Sequence, residues 1–133
     1  MLSIIPVFLM FFSSFLQDPS GSWIPSANSS KSEFFIKSKY ISKVGSKITI
    51  WVKQVPKVSE EKDGKKIAFE LILEECDCNN FSTRSLSLVE YTESGESINS
   101  FNFKDAEVTY APPGSVAYRY ISDICSRFNK KKK

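Results

Sequence analysis

In the stretch SKITIWVKQV, residues 46–55, Ile48, Ile50 and Val52 alternate with Lys47, Thr49, Trp51 and Lys53. A period of two puts the three aliphatic side chains on one side of an extended strand, whereas a helix would scatter them around its circumference. One such strand cannot stand alone. It needs partners for its backbone groups and something to cover its apolar side. The chain is therefore committed to a sheet with at least one packed face. The alternation returns in IAFELILEEC, where Ile67, Phe69, Leu71 and Leu73 read as the inward set, and in TRSLSLVEY, with Leu86 and Leu88 inward. EFFIKSKYI and INSFNFKD read as further strands, and Gly45 and TESGES as turns. PKVSEEKDGKK carries seven charges in eleven residues and reads as a loop joining two strands. GSWIPSANSSKS reads as a polar, flexible lead with one large apolar residue, Trp23. The aromatic residues Phe34, Phe35, Tyr40, Trp51, Phe101 and Phe103 are expected to fill the core.

The end of the chain changes period. Pro112-Pro113-Gly114 stops any strand, and Ser115 or Gly114 can cap a helix. Val116, Tyr120, Ile121, Ile124, Cys125 and Phe128 then make one stripe of a 3.6-residue repeat, with Arg127 suited to the negative end of the helix. The expected fold class is α+β: a single domain, a curved antiparallel sheet of about five to six strands packed with a C-terminal helix. Its 133 residues suffice for one core. The domain is expected over 21–129, with a basic tail at 130–133.

Leu2 to Leu16 contain no charge. The run is short of the ~20 apolar residues that span a bilayer, and the turn-rich QDPSGS follows it. Residues 1–20 therefore read as an export segment, although no Lys or Arg precedes the apolar run. Export to an oxidising compartment favours a disulfide. Of the three cysteines, Cys76 and Cys78 are separated by one residue and would form a strained ring. One of them is expected to pair with Cys125. In an alternating strand both share a face, so parity leaves the choice open.

Charge is segregated. Residues 31–66 hold ten lysines and four acids, a balance of +6, while 67–129 hold four basic and ten acidic residues, a balance of −6. With no histidine in the chain, the commonest general base is missing. Phosphate-binding glycine loops and serine-nucleophile motifs are missing too. Cys-x-Cys with one distant Cys falls short of a zinc site, and no cofactor is expected. Glu74, Glu75 and Asp77 read as a solvated acidic edge rather than a catalytic cluster. Neither an enzyme nor a nucleic-acid binder is expected, and no stable membrane span. The lysines at 37, 39, 43, 47 and 53 offer a basic face for a protein partner.

Trp23, the segment FFIKSKYISKVGSKITIWV with Trp51, Asp77-Cys78, LVEYTESGESI, and Pro113-Gly114-Ser115 leading to Cys125 occur in this order. Over residues 23–128 this resembles the surface-adhesin protein E family of small exported bacterial domains. The resemblance implies a curved antiparallel sheet packed with helix, and a disulfide between Cys78 and Cys125 that leaves Cys76 over. It also implies a periplasmic, secreted or cell-surface domain that adheres to host extracellular or envelope proteins. The chain departs from the lipid-anchored adhesins in lacking a lipidation cysteine, and Cys76 is a second departure. Lys37, Lys39, Lys43, Lys47 and Lys53 are the expected partner contacts. A small secreted inhibitor of an extracellular hydrolase, acting through loop 56–66, is the alternative.

Overall fold

The computed structural model describes residues 22–129. The expected export segment and the basic tail lie outside the described residues. Among the described residues ten strands precede one helix: β1 (Trp23–Asn28), β2 (Ser32–Lys37), β3 (Ser42–Val44), β4 (Lys47–Pro56), β5 (Glu60–Lys62), β6 (Lys65–Ile67), β7 (Phe69–Asp77), β8 (Ser82–Tyr91), β9 (Ser97–Asn102), β10 (Thr109–Tyr110) and α1 (Val116–Phe128). Eight strands form one antiparallel sheet in the order β1-β2-β4-β7-β8-β10, with β3 beside β4 and β9 beside β8. The α+β class holds, but the sheet has eight strands rather than five to six. The additional strands of the sheet are β1, whose composition hides it, and the short β3 and β10. The polar lead is β1, which pairs with β2 from Trp23↔Lys37 to Asn28↔Glu33, with a bulge between Pro25 and Ala27. The charged loop 56–66 contains the β5–β6 hairpin, a separate two-stranded sheet that turns at Asp63 and Gly64, both at positive φ.

Register decides which side chains share a face. Ile48, Ile50 and Val52 lie opposite Cys76, Glu74 and Ile72, and Ile36 lies opposite Val52. Residues paired in this way project to the same side. The helix covers this side: Tyr120 stacks on Phe34 at 5.7 Å, Tyr118 meets Phe81 at 4.7 Å, and Phe128 meets Tyr40 edge-on at 5.5 Å. The core is Ile36, Ile48, Ile50, Val52, Cys76, Ala111, Tyr120, Ile121 and Ile124. Its only aromatic member is Tyr120, with Phe34 packed half-buried against it, and the expected aromatic core is corrected. Phe34, Phe35 and Trp51 are half-buried, while Tyr40, Phe101 and Phe103 are exposed. Ile67 is buried, but Phe69, Leu71 and Leu73 project to the opposite, helix-free face.

The helix starts where its cap allows. Pro112, Pro113 and Gly114, the last at φ 86°, turn the chain. Ser115 then sits in extended backbone with its hydroxyl accepting from the Tyr118 N–H at 3.1 Å. No helix among the described residues is long and apolar enough to cross a membrane.

Candidate functional site: a split lysine surface, a pinned helix and a buried carboxylate

The five lysines expected on one face are divided by the fold. Lys37, Lys47 and Lys53 project to the helix-free face, because Lys37 pairs with Trp23, Lys47 with Asp77, and Lys53 with Phe35 and Leu71. Lys43 pairs with Ile48 and so projects to the other side. Lys39 lies in the exposed turn between β2 and β3. Lys37 is only 7% exposed, with its ammonium 4.5 Å from the centre of the Trp23 ring. Lys53 spans the same ring at 5.7 Å and Phe69 at 4.6 Å. These contacts use the negative face of the rings to hold the cations. Lys39, Lys43 and Lys47 point into solvent.

Cys78 and Cys125 are bonded, with Cα atoms 5.7 Å apart, while Cys76 is free and buried. The bridge ties the last turn of α1 to the end of β7. Asp77 braces the adjoining turn by accepting from Ser46 Oγ at 2.7 Å and from the Asn79 N–H at 3.0 Å. The Ser46 hydroxyl, then the Asn79 N–H, hold its carboxyl below the usual range. Burial, then the nearby Glu74 carboxylate, push the Cys76 thiol up to about 12. It therefore stays protonated and is an unreactive core residue at neutral pH.

The acidic edge is corrected by register. Glu74 is 2% exposed and accepts hydrogen bonds from Thr83 Oγ1 at 2.6 Å, from Ser85 Oγ, and from Tyr120 OH at 3.1 Å. Burial and the Glu74 charge push the Tyr120 phenol well above its ordinary value, so it remains a donor. Glu75, one residue on, faces the other way and pairs with Arg84 at 3.0 Å. A signal for Glu74 exists in the sequence. Glu74 has the parity of Cys76 and Cys78, so a helix bonded to Cys78 lies over Glu74 rather than over Leu73.

A second polar cluster lies further along the helix side. Glu90, 3% exposed, takes Lys62 Nζ at 3.2 Å and Asn99 Nδ2 at 3.0 Å. Glu70, its cross-strand partner, is pushed up to about 7, first by burial, then by its hydrogen bond to Glu90 and the Glu90 charge. A carboxyl whose folded value exceeds its unfolded one favours folding when protonated, and this contribution is lost as pH rises. The expected result is a melting temperature that falls between about pH 4.5 and about pH 7, in a scan at fixed ionic strength. Glu70→Gln should flatten that slope, and an unchanged slope would remove Glu70 as its source.

A shallow groove of about 390 Å³ runs between β8 and the loop that joins β9 to β10, bounded by Thr83, Ser85, Phe103, Asp105, Glu107 and Thr109. Among the described residues, no group of three Cys, Asp or Glu side chains is placed to hold a metal ion.

Three solved structures share the fold. Haemophilus influenzae protein E superposes with a TM-score of 0.62 at 13% identity, over 87% of this chain and 92% of that one. A second crystal form gives 0.60 at 15% identity, over 85% and 94%. Protein E from non-typeable H. influenzae gives 0.57 at 13%, over 85% and 81%. No curated protein matches the chain by sequence. The family model described as surface-adhesin protein E matches residues 23–126, from the first residue of β1 to the turn of α1 that carries Cys125, and the chain belongs to that family.

Proposed function

We propose that the chain is an exported, non-catalytic binding domain that recognises a host extracellular or envelope protein through the helix-free face of its sheet. One observation carries this reading. Trp51, Leu71 and Leu73 are half-buried on that face, flanked by Lys47 and Lys53. The side-chain contacts of α1 and of Lys62 in the β5–β6 hairpin fall on the opposite side. Half-exposed aromatic and aliphatic residues bordered by cations suit a protein surface with an acidic rim. Membership of an adhesin family supports the same role. Lys37 serves this surface indirectly, as a support beneath Trp23. Lys39 and Lys43 lie apart from it.

The test is capture from serum, matrix and envelope fractions, followed by titration of whatever is retained. Lys47→Glu with Lys53→Glu should weaken binding by roughly tenfold or more and steepen with falling salt the difference from the wild type. Unchanged affinity would move the contact elsewhere. The inhibitor reading draws on one feature, the formed β5–β6 hairpin with its exposed Asp63-Gly64 turn. Inhibition of an extracellular hydrolase that is abolished by replacing 60–66 with a short glycine linker would favour it instead.

A further inference from the structure

Between Glu33 and Glu60 the chain contains no acidic residue and six lysines. Part of this acid-free segment, 39–47, forms the turn after β2, the short strand β3 and the β3–β4 turn. It places exposed apolar side chains next to exposed cations. Ile41 is 57% exposed and Val44 75%, with Lys39 and Lys43 exposed beside them. The β3–β4 turn is held at Ser46, which bonds Asp77 and the Cys78 N–H, while Gly45, at φ +61°, has nothing within 4 Å of the position a Cβ would take. The segment is anchored at its base. The Ile41 N–H donates to the Thr49 carbonyl at 2.8 Å, and Tyr40 packs against Phe128 in the last turn of α1. Asn129 follows that turn, and the sequence continues into Lys130–Lys133.

We infer that the 39–47 segment is a docking element for an anionic lipid surface, with Ile41 and Val44 entering the headgroup layer and Lys39 and Lys43 pairing with phosphates. Charge complementarity identifies the occupant: the segment offers cations and aliphatic tips with no carboxylate of its own, and Asp77, which Ser46 holds, sits at the base of the turn opposite Lys47. Its size decides between lipid and protein. A stable protein interface buries on the order of 1,200 Å² or more, beyond what a few side chains at one turn supply. A lipid surface accepts a small apolar wedge ringed by lysines, each lysine near the surface strengthening partitioning about fivefold. The element borders the Lys47, Lys53 and Trp51 surface, since Val44 pairs with Lys47, but Lys39 and Lys43 lie outside that surface and the inference does not depend on the protein-binding reading. A domain held in this way would lie on an envelope by one end of its sheet and keep the helix-free face open.

Cosedimentation of the full chain with vesicles tests it. Vesicles of equal parts phosphatidylcholine and phosphatidylglycerol are compared with vesicles of phosphatidylcholine alone, so that any charge-independent binding is subtracted. The expected result is salt-sensitive partitioning to the anionic vesicles only. Lys39→Gln with Lys43→Gln should lower it roughly 25-fold. Ile41→Ser with Val44→Ser, at constant charge, should lower it on the order of tenfold. All four side chains are exposed, so the melting temperature should not shift, and protein capture through Lys47 and Lys53 is read separately. Equal partitioning to neutral and anionic vesicles, or wild-type partitioning by both variant pairs, would overturn the inference. So would capture of an acidic protein through Lys39 and Lys43 without vesicle binding.

Discussion

Cys78→Ser is expected to lower the free energy of unfolding by about 4 kcal/mol, the chain-entropy value for cross-linking residues 47 apart. In a domain of this size that corresponds to a fall in melting temperature on the order of 15 °C. The unfolded chain gains the freedom that the bridge removed. The folded chain keeps its sheet but loses the tether on the last turn of α1, so the helix end beside Tyr40 should exchange its amide hydrogens faster than the β4–β7 ladder. Cys76→Ala is the control. It deletes a fully buried sulfur between Ile48 and Thr83 without opening a loop, and should cost about 1 kcal/mol. Peptide mapping without reductant should find Cys78 joined to Cys125 and one alkylatable thiol after unfolding. A Cys76–Cys125 peptide, or three alkylatable thiols in exported protein, contradicts the pairing.

Glu74→Ala should be comparably damaging, by about 3–5 kcal/mol, although Glu74 touches no cation in the ion pairs of the described residues. The carboxylate is buried and accepts from Thr83, Ser85 and Tyr120. Removing it leaves three hydroxyls without their acceptor and a gap under the helix. Tyr120→Phe deletes one donor and should cost about 1.5–3 kcal/mol, the range for a hydrogen bond to a charged group. In the Glu74→Ala background the same change should cost under about 1 kcal/mol, because its partner is already gone. Denaturant unfolding of the two single variants and the double variant measures this. Additive losses would show that Tyr120 and Glu74 are not coupled, and that the carboxylate does not fasten the helix to the sheet.

The elements with a strong local signal were legible in the sequence. Ile48, Ile50 and Val52 define β4 and its buried side by period alone, since no other regular structure aligns three residues spaced by two. Ser115 and the Val116–Phe128 stripe define α1, because a cap and a 3.6-residue repeat act within a few residues of each other. β1 and the β5–β6 hairpin were not legible. Ser and Asn in the first and seven charges around the second match loop composition, and only the pairing of β1 with β2 and of β5 with β6 holds them as strands.

The helix-covered face of β7 was the decision left to tertiary structure. By hydrophobicity Phe69, Leu71 and Leu73 belong inside, and the sequence alone assigns them there. The fold instead turns Ile72, Glu74 and Cys76 under the helix, because register with β4 and the Cys78–Cys125 bond fix α1 on that side. Both faces of β7 carry apolar residues, so burial energy by itself does not choose between them, and one covalent bond with three hydroxyl donors to Glu74 does. The same choice leaves Trp51, Leu71 and Leu73 on the face free of the helix. The lysines are divided by the β3–β4 turn, which pairs Lys43 with Ile48 on the helix side although Lys43 and Lys47 have the same parity. Charge segregation can be read from one dimension. Which cations stand together is a property of register.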